Sequence, residues 1–234
     1  MSPAASTPSA LPLSDGAGSA RRVIPEPVRK ALLACGVLSS LDYFLAANLV
    51  GPLRWEGYSS RSQSVSELSA LGAPSRPTMA ALFVLYSALV MAFGAGIRAS
   101  AGSKRVLRIV AGLVIAFGAF CLTGPLTPMH PRGTTVTITD TLHVIGTIGD
   151  VVLILLIVGF GATAFGKRFR VYSVATMIGL AALGALTGLS GPAIAANQPT
   201  PWAGWTERFS IGAYLLWFAV LAIALLRPPP SASD

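Results

Sequence analysis

Six apolar runs, each close to the length that crosses a bilayer, alternate along the chain with polar segments of unequal size. The runs cover about 30–50, 78–98, 106–124, 142–165, 171–191 and 209–226. A helical span needs about 20 apolar residues, so the pattern predicts six transmembrane helices. Even-numbered connections, near 99–105 and 166–170, are short and basic. Odd-numbered ones are longer and hold most of the unusual residues.

Composition agrees. Of 234 residues 53% are hydrophobic and 11% charged, against about a quarter charged in an ordinary soluble domain. Mean hydropathy is +0.67. Disorder, which needs low hydrophobicity and high charge, is excluded for the body of the chain, and two cysteines make no disulfide scaffold. The fold class is all-α, a polytopic membrane protein whose transmembrane domain covers 28–227. A Ser-, Ala- and Pro-rich tail, 1–27, and a short tail, 228–234, are expected to be disordered or cytoplasmic. The first apolar run starts late, is a full span long and contains Asp42, so it reads as a span and not as a signal peptide.

The net charge of +8 does not form a nucleic-acid footprint, because the basic residues punctuate the spans. Twelve of the seventeen Lys and Arg flank the side that carries both termini, and five flank the other. The positive-inside rule then places both termini in the cytoplasm, with Trp55, Trp202 and Trp205 in an outer aromatic belt. Gly-Pro occurs three times, at Gly51-Pro52, Gly124-Pro125 and Gly191-Pro192, at the outer end of spans one, three and five. Two readings stand: three related hairpins with outward working loops, or a plain helix stop built from a left-handed glycine and a proline.

Candidate chemistry gathers on the outer side. In the first outer loop Ser64 and Glu67 have capping-box spacing, and Gly72 and Pro74 are stops, which predicts a short helix over about 65–71. It is expected on the outer surface or dipping into the bundle. Ser62, Ser66 and Glu67 are its candidate substrate-facing residues. The second outer loop holds His130, and Asp140, His143, Thr147 and Asp150 follow at helical spacing as one polar stripe. Such a stripe is expected to avoid lipid and to face the bundle interior or a watery cavity. Asp42, with Cys35 and Ser39 on its face, is a second intramembrane acid without a cation at its depth.

Three chemistries use these residues. His130, His143 and Asp140 have the donor types of a catalytic divalent metal such as zinc, though the thirteen-residue separation of the histidines is not a diagnostic ligand spacing. His143 is a candidate general base with Glu67 and Asp140, and this enzyme reading requires His143 and Glu67 to reach one water or metal. Asp42, Asp150 and His143 are candidates for a proton or ion path. The path has to continue past Asp150 through Val151 to Phe165, nearly all apolar, which counts against it.

The stretch Tyr58 to Arg76, with Ser66-Glu67-Leu68 and Gly72-Ala73-Pro74-Ser75-Arg76, resembles the signature of a bacterial membrane family catalogued as domain of unknown function 998. Gly124-Pro125, His130, Gly133 and the His143 that opens span four extend the resemblance over about 31–226. It implies six helices and makes the outer Ser, Glu and His residues candidates for a shared site. A more distant similarity to six-span eukaryotic families of lipid remodelling and autophagy is a fold-level analogy. Scarce Lys beside abundant Arg, Ala and Gly fits a GC-rich bacterium, hence the bacterial plasma (inner) membrane.

The leading expectation is an integral membrane protein with an outward-facing polar cavity. Its walls are the first outer loop, His130, the Asp140–Asp150 stripe and Asp42. Its occupant is a lipid or lipid-linked substrate, held or processed. The alternatives are an accessory or scaffold subunit, marked by an apolar groove, and a small proton- or ion-coupled transporter.

Overall fold

A computed structural model describes residues 24–227. Among these residues every regular element is helical. The six long helices are α1 (Glu26–Leu45), α2 (Arg76–Ser100), α3 (Arg105–Cys121), α4 (Ile138–Gly161), α5 (Lys167–Leu189) and α6 (Ala203–Leu226). All six, with their short extensions, are long and apolar enough to cross a membrane. The expected tails lie outside the described residues, apart from the few that open α1.

Each helix packs on its neighbours in sequence, and α6 closes back onto α1, so the bundle is a ring. Its centre is aromatic. Tyr86, Phe93, Phe117, Tyr214, Trp217 and Phe218 are almost fully buried, mostly in edge-to-face or tilted pairs, the arrangement that ring quadrupoles favour. Two polar side chains of this core are bonded across helices: Trp217 Nε1 donates to Ser173 Oγ at 2.9 Å and Ser40 Oγ to Leu215 O at 2.8 Å. Small residues let backbones approach, as membrane helices require. A Cβ on Gly96 would stand 2.8 Å from the backbone nitrogen of Leu33 in α1.

The long helices before Gly124 and Gly191 end at Cys121 and Leu189, but not through the expected left-handed glycine. None of the three glycines has a positive φ; the left-handed glycines are Gly57, Gly72, Gly102 and Gly133. Each proline instead opens a further short helical turn: Gly51–Leu53, Gly124–Leu126 and Gly191–Ala195. A proline is tolerated there because the first turn has no use for its missing N–H.

At the first dipeptide the consequence is larger. The chain widens into a π-turn, Ala46–Val50, and the Gly51 N–H reaches back to Ala46 O. The next bond in that register needs an N–H on Pro52, which has none. The buried Ala47 carbonyl accepts instead from Arg208 Nη2 of α6, at 3.1 Å. A defect in one helix thereby becomes a tie to another.

Candidate functional site

Loops 54–75, 122–137 and 190–202 emerge at one end of the ring and are joined there into a single cap. The first loop folds locally as its spacing predicts. Ser64 N–H donates to Glu67 Oε2 at 2.7 Å, and Glu67 N–H donates to Ser64 Oγ at 3.2 Å. The helix they start is a single 3₁₀ turn, Ser66–Ser69, shorter than the 65–71 expected. Of the two positions expected, it takes the one dipping into the bundle and not the one on the surface. Leu68 is fully buried with Ala46 and Met79, and Ser75 Oγ donates to Leu68 O at 2.6 Å. The turn therefore plugs the gap between the end of α1 and the start of α2. Gly72 follows with φ +79° and reverses the chain.

Glu67 is 2% exposed and forms a fork-to-fork pair with Arg132 of the second loop. Arg132 Nη2 donates to Glu67 Oε2 at 2.8 Å, and Nε donates to Oε1. The same guanidinium donates to Thr200 Oγ1 of the third loop at 2.7 Å and to Ser62 O at 2.8 Å. One arginine thus holds three loops. A second tie is the Leu71 N–H, which donates to Met129 O at 2.9 Å.

Arg208, near the start of α6, is a second hub. Besides Ala47 O, it donates to Ser60 O, Gln63 O and Gly204 O at 3.0–3.1 Å and to the Tyr58 hydroxyl at 2.7 Å. Tyr58 donates in turn to Ser64 O at 2.7 Å. Burial pushes the Tyr58 phenol up to about 12, against the pull of the guanidinium beside it. Next to Arg208, Glu207 accepts from Val65 N–H at 2.5 Å, and Ser66 Oγ donates weakly to it at 3.4 Å.

His130 and Asp140 are brought together. Asp140 closes a capping box with Thr137 at the start of α4, and its other bonds go to His130: backbone N–H to Oδ1 at 2.7 Å, ring Nδ1 to Oδ2 at 2.9 Å. A carboxylate accepts only, so Nδ1 carries the proton and Nε2 is the free ring nitrogen. His143 is elsewhere: its Nδ1 meets the carbonyl of Thr127 at 3.1 Å. Glu67 and His143 therefore have separate partners and are not joined as the enzyme reading requires. The expected ligand set of His130, His143 and Asp140 is not assembled either, because Asp140 is occupied by the helix cap and His143 is turned to Thr127. Among the described residues no group of three His, Cys, Asp or Glu side chains is placed to hold a metal ion.

Of the stripe on α4, Asp150 meets α3. Asp150 Oδ1 accepts from Cys121 Sγ at 3.7 Å. Thr147 is exposed and turns back to its own helix, donating to His143 O. Asp42, half-buried on α1, has one buried oxygen without a hydrogen bond among the described residues.

A cavity of about 360 Å³ opens at the capped end, lined by Trp55, Gln63, Glu67, Ala70, Leu71, Gly72, Ala73, Pro131, Arg132 and Asn197. Of the walls expected, only the first outer loop is present. His130 stands beside a lining residue, while Asp140 to Asp150 and Asp42 lie off it. The reason is local: the stripe is used in capping α4 and packing it on α3. Arg132, Glu207 and Arg208 were not anticipated as site residues. A capping signal, Thr137-Ile138-Thr139-Asp140, stood in the sequence for Asp140. Glu207 and Arg208 stood out as charges beside an apolar run. For Arg132 no local signal exists.

Residues 41–224 match the family model described as Protein of unknown function (DUF998). Neither the curated proteins nor the solved structures contain a match to the chain.

Proposed function

The chain belongs to the DUF998 family, and on that footing we propose that it binds the polar end of a lipid or lipid-linked molecule in the cavity at its capped end. That end faces outward and both termini lie in the cytoplasm of a bacterial plasma membrane. The orientation rests on the excess of Lys and Arg around the short loops.

The observation that carries the reading is the Glu67–Arg132 fork. It gives the cavity a polar lining fixed by three loops, alongside the apolar Trp55, Ala70, Leu71 and Ala73. A pocket mainly apolar with a few fixed polar groups is the ordinary form of a small-ligand site, and about 360 Å³ holds a headgroup rather than a whole lipid. Glu67 is a positioning residue here. Its oxygens accept from Arg132 and from Ser64, which fixes its side chain across the loops.

The test is lipid content. Wild-type protein extracted with its native bilayer patch retains one lipid class above its bulk share, and Leu71→Trp, which fills the cavity, loses that enrichment. A wild type whose lipids mirror the bulk overturns the reading.

A second reading, processing of the bound lipid, is favoured by the His130–Asp140 pair. A carboxylate holding Nδ1–H leaves Nε2 as proton acceptor, the arrangement of a general base. It predicts that His130→Gln keeps the enriched lipid and stops its turnover. Turnover unchanged in that variant removes the reading.

A further inference from the structure

On the far side of Thr200 from the cavity lies a second hollow, of about 530 Å³, between α5 and α6. Its walls include Leu186, Leu189, Ala193, Trp202, Trp205 and Phe209. All but Ala193 are exposed large apolar side chains on the outer surface of the ring. The walls are apolar enough to take hydrocarbon and stand at the end of the helices, where tryptophans mark the membrane interface.

One charge is fixed over this groove. The Arg61 guanidinium lies 4.0 Å from the Trp202 ring centre and 5.6 Å from that of Trp205. Its Nε donates to Pro201 O at 3.2 Å. Among the described residues no acid pairs with it, and its two terminal nitrogens make no protein hydrogen bond. The backbone beneath is pinned as well, since Arg61 O accepts from Gly204 N–H and Trp205 N–H at 3.1 and 3.3 Å. That contact demands a glycine: a Cβ at 204 would collide with Ser60 O and Gln63 O. The first loop is therefore pressed onto α6 in a way that holds a cation, unpaired among the described residues and with two free terminal nitrogens, over an exposed aromatic ledge.

We propose that this groove is a binding site for an anionic phospholipid, with an acyl chain along α5 and α6 and the phosphodiester on the outward nitrogens of Arg61. Charge complementarity selects the occupant. A planar guanidinium offers paired donors that match a phosphate, and the walls below it match a chain. The site is separate from the cavity of the preceding section, because the Arg132–Thr200 bond divides the two.

Brominated lipids test it, since bromine quenches nearby indoles and Trp202 and Trp205 line the groove. The full chain is reconstituted in phosphatidylcholine vesicles containing brominated phosphatidylglycerol or, in parallel, brominated phosphatidylcholine. The wild type should reach half-quenching at about fivefold lower mole fraction of the anionic lipid, the scale of one basic residue at an anionic surface. Arg61→Gln should equalise the two lipids. Its fold is retained, because the loop-to-α6 bonds come from the Arg61 backbone. In the wild type itself, about 1 M salt should shrink the preference by screening. Equal quenching by both lipids in the wild type overturns the proposal, as does a preference that survives Arg61→Gln or high salt. Tryptophans shielded from both lipids also overturn it, and point to a protein partner on the groove.

Discussion

Glu67 and Arg132 are 65 residues apart and meet with almost no water between them, Glu67 side chain 3% and Arg132 side chain 15% exposed. Removing one partner of such a pair leaves an uncompensated buried charge, which costs about 3–5 kcal/mol when burial is complete. Arg132→Met and Glu67→Gln should each lose about 3 kcal/mol by that rule, and the double variant less than the sum of the two, because the pair fails as a unit. Denaturant unfolding in detergent measures all three. Additive losses would mean that the fork is not what ties the loops. Tyr58 gives the pH dependence. Its phenol is held protonated by burial, with a folded pKa of about 12 against an ordinary 10.0. Between those values the folded state binds more protons than the unfolded one, so stability falls as pH rises from about 10 to about 12. Tyr58→Phe cannot ionise and should flatten that part of the curve in thermal unfolding. An equally steep fall in the variant would assign the alkaline loss to other groups.

At the scale of elements, the six helices were readable because apolar runs of span length have few alternatives. Their first turns were not. Helix α4 begins at Ile138 rather than near 142, and α6 at Ala203 rather than near 209. The missed turn of α6 contains Glu207 and Arg208, polar residues that look like loop until their partners in the first loop are known. The left-handed glycine expected at Gly-Pro failed for a related reason: a proline that cannot extend one turn can open the next, and the orphaned carbonyl at Ala47 found Arg208 in α6. Glycine spacing is similarly blind to contact. Gly96 meets α1 backbone, whereas a Cβ on Gly112 meets nothing within 4 Å. Gly96→Val should therefore cost about 1–3 kcal/mol by forcing α1 and α2 apart. Gly112→Ala should be neutral or stabilise by up to about 1 kcal/mol through helix propensity. Unfolding midpoints of the two variants decide it, and equal effects would contradict the close α1–α2 approach.

Across the whole molecule, the ring of six helices supplies a dry aromatic centre, and the chemistry is displaced to the capped end. Three loops that share no sequence proximity converge there on Arg132 and Arg208. That convergence explains why the local fold of the first loop was legible while its partners were not. Capping-box spacing lies within four residues, but the partners of Glu67 and Ser66 come from the second loop and from α6. His130, Asp140, His143 and Asp150 share a stretch of sequence and still divide between a helix cap, a loop carbonyl and a cysteine on α3. The most direct measurement is photo-crosslinking of the full chain, in its native bilayer patch, with a lipid extract carrying a photoreactive group in the headgroup, followed by mapping of the labelled peptides. Headgroup binding in the cavity predicts label on 70–73 and 131–132, abolished by Leu71→Trp, whereas label around Arg61 reports the groove and not the cavity. Label confined to the membrane-facing sides of the helices, or unchanged by that substitution, would contradict it.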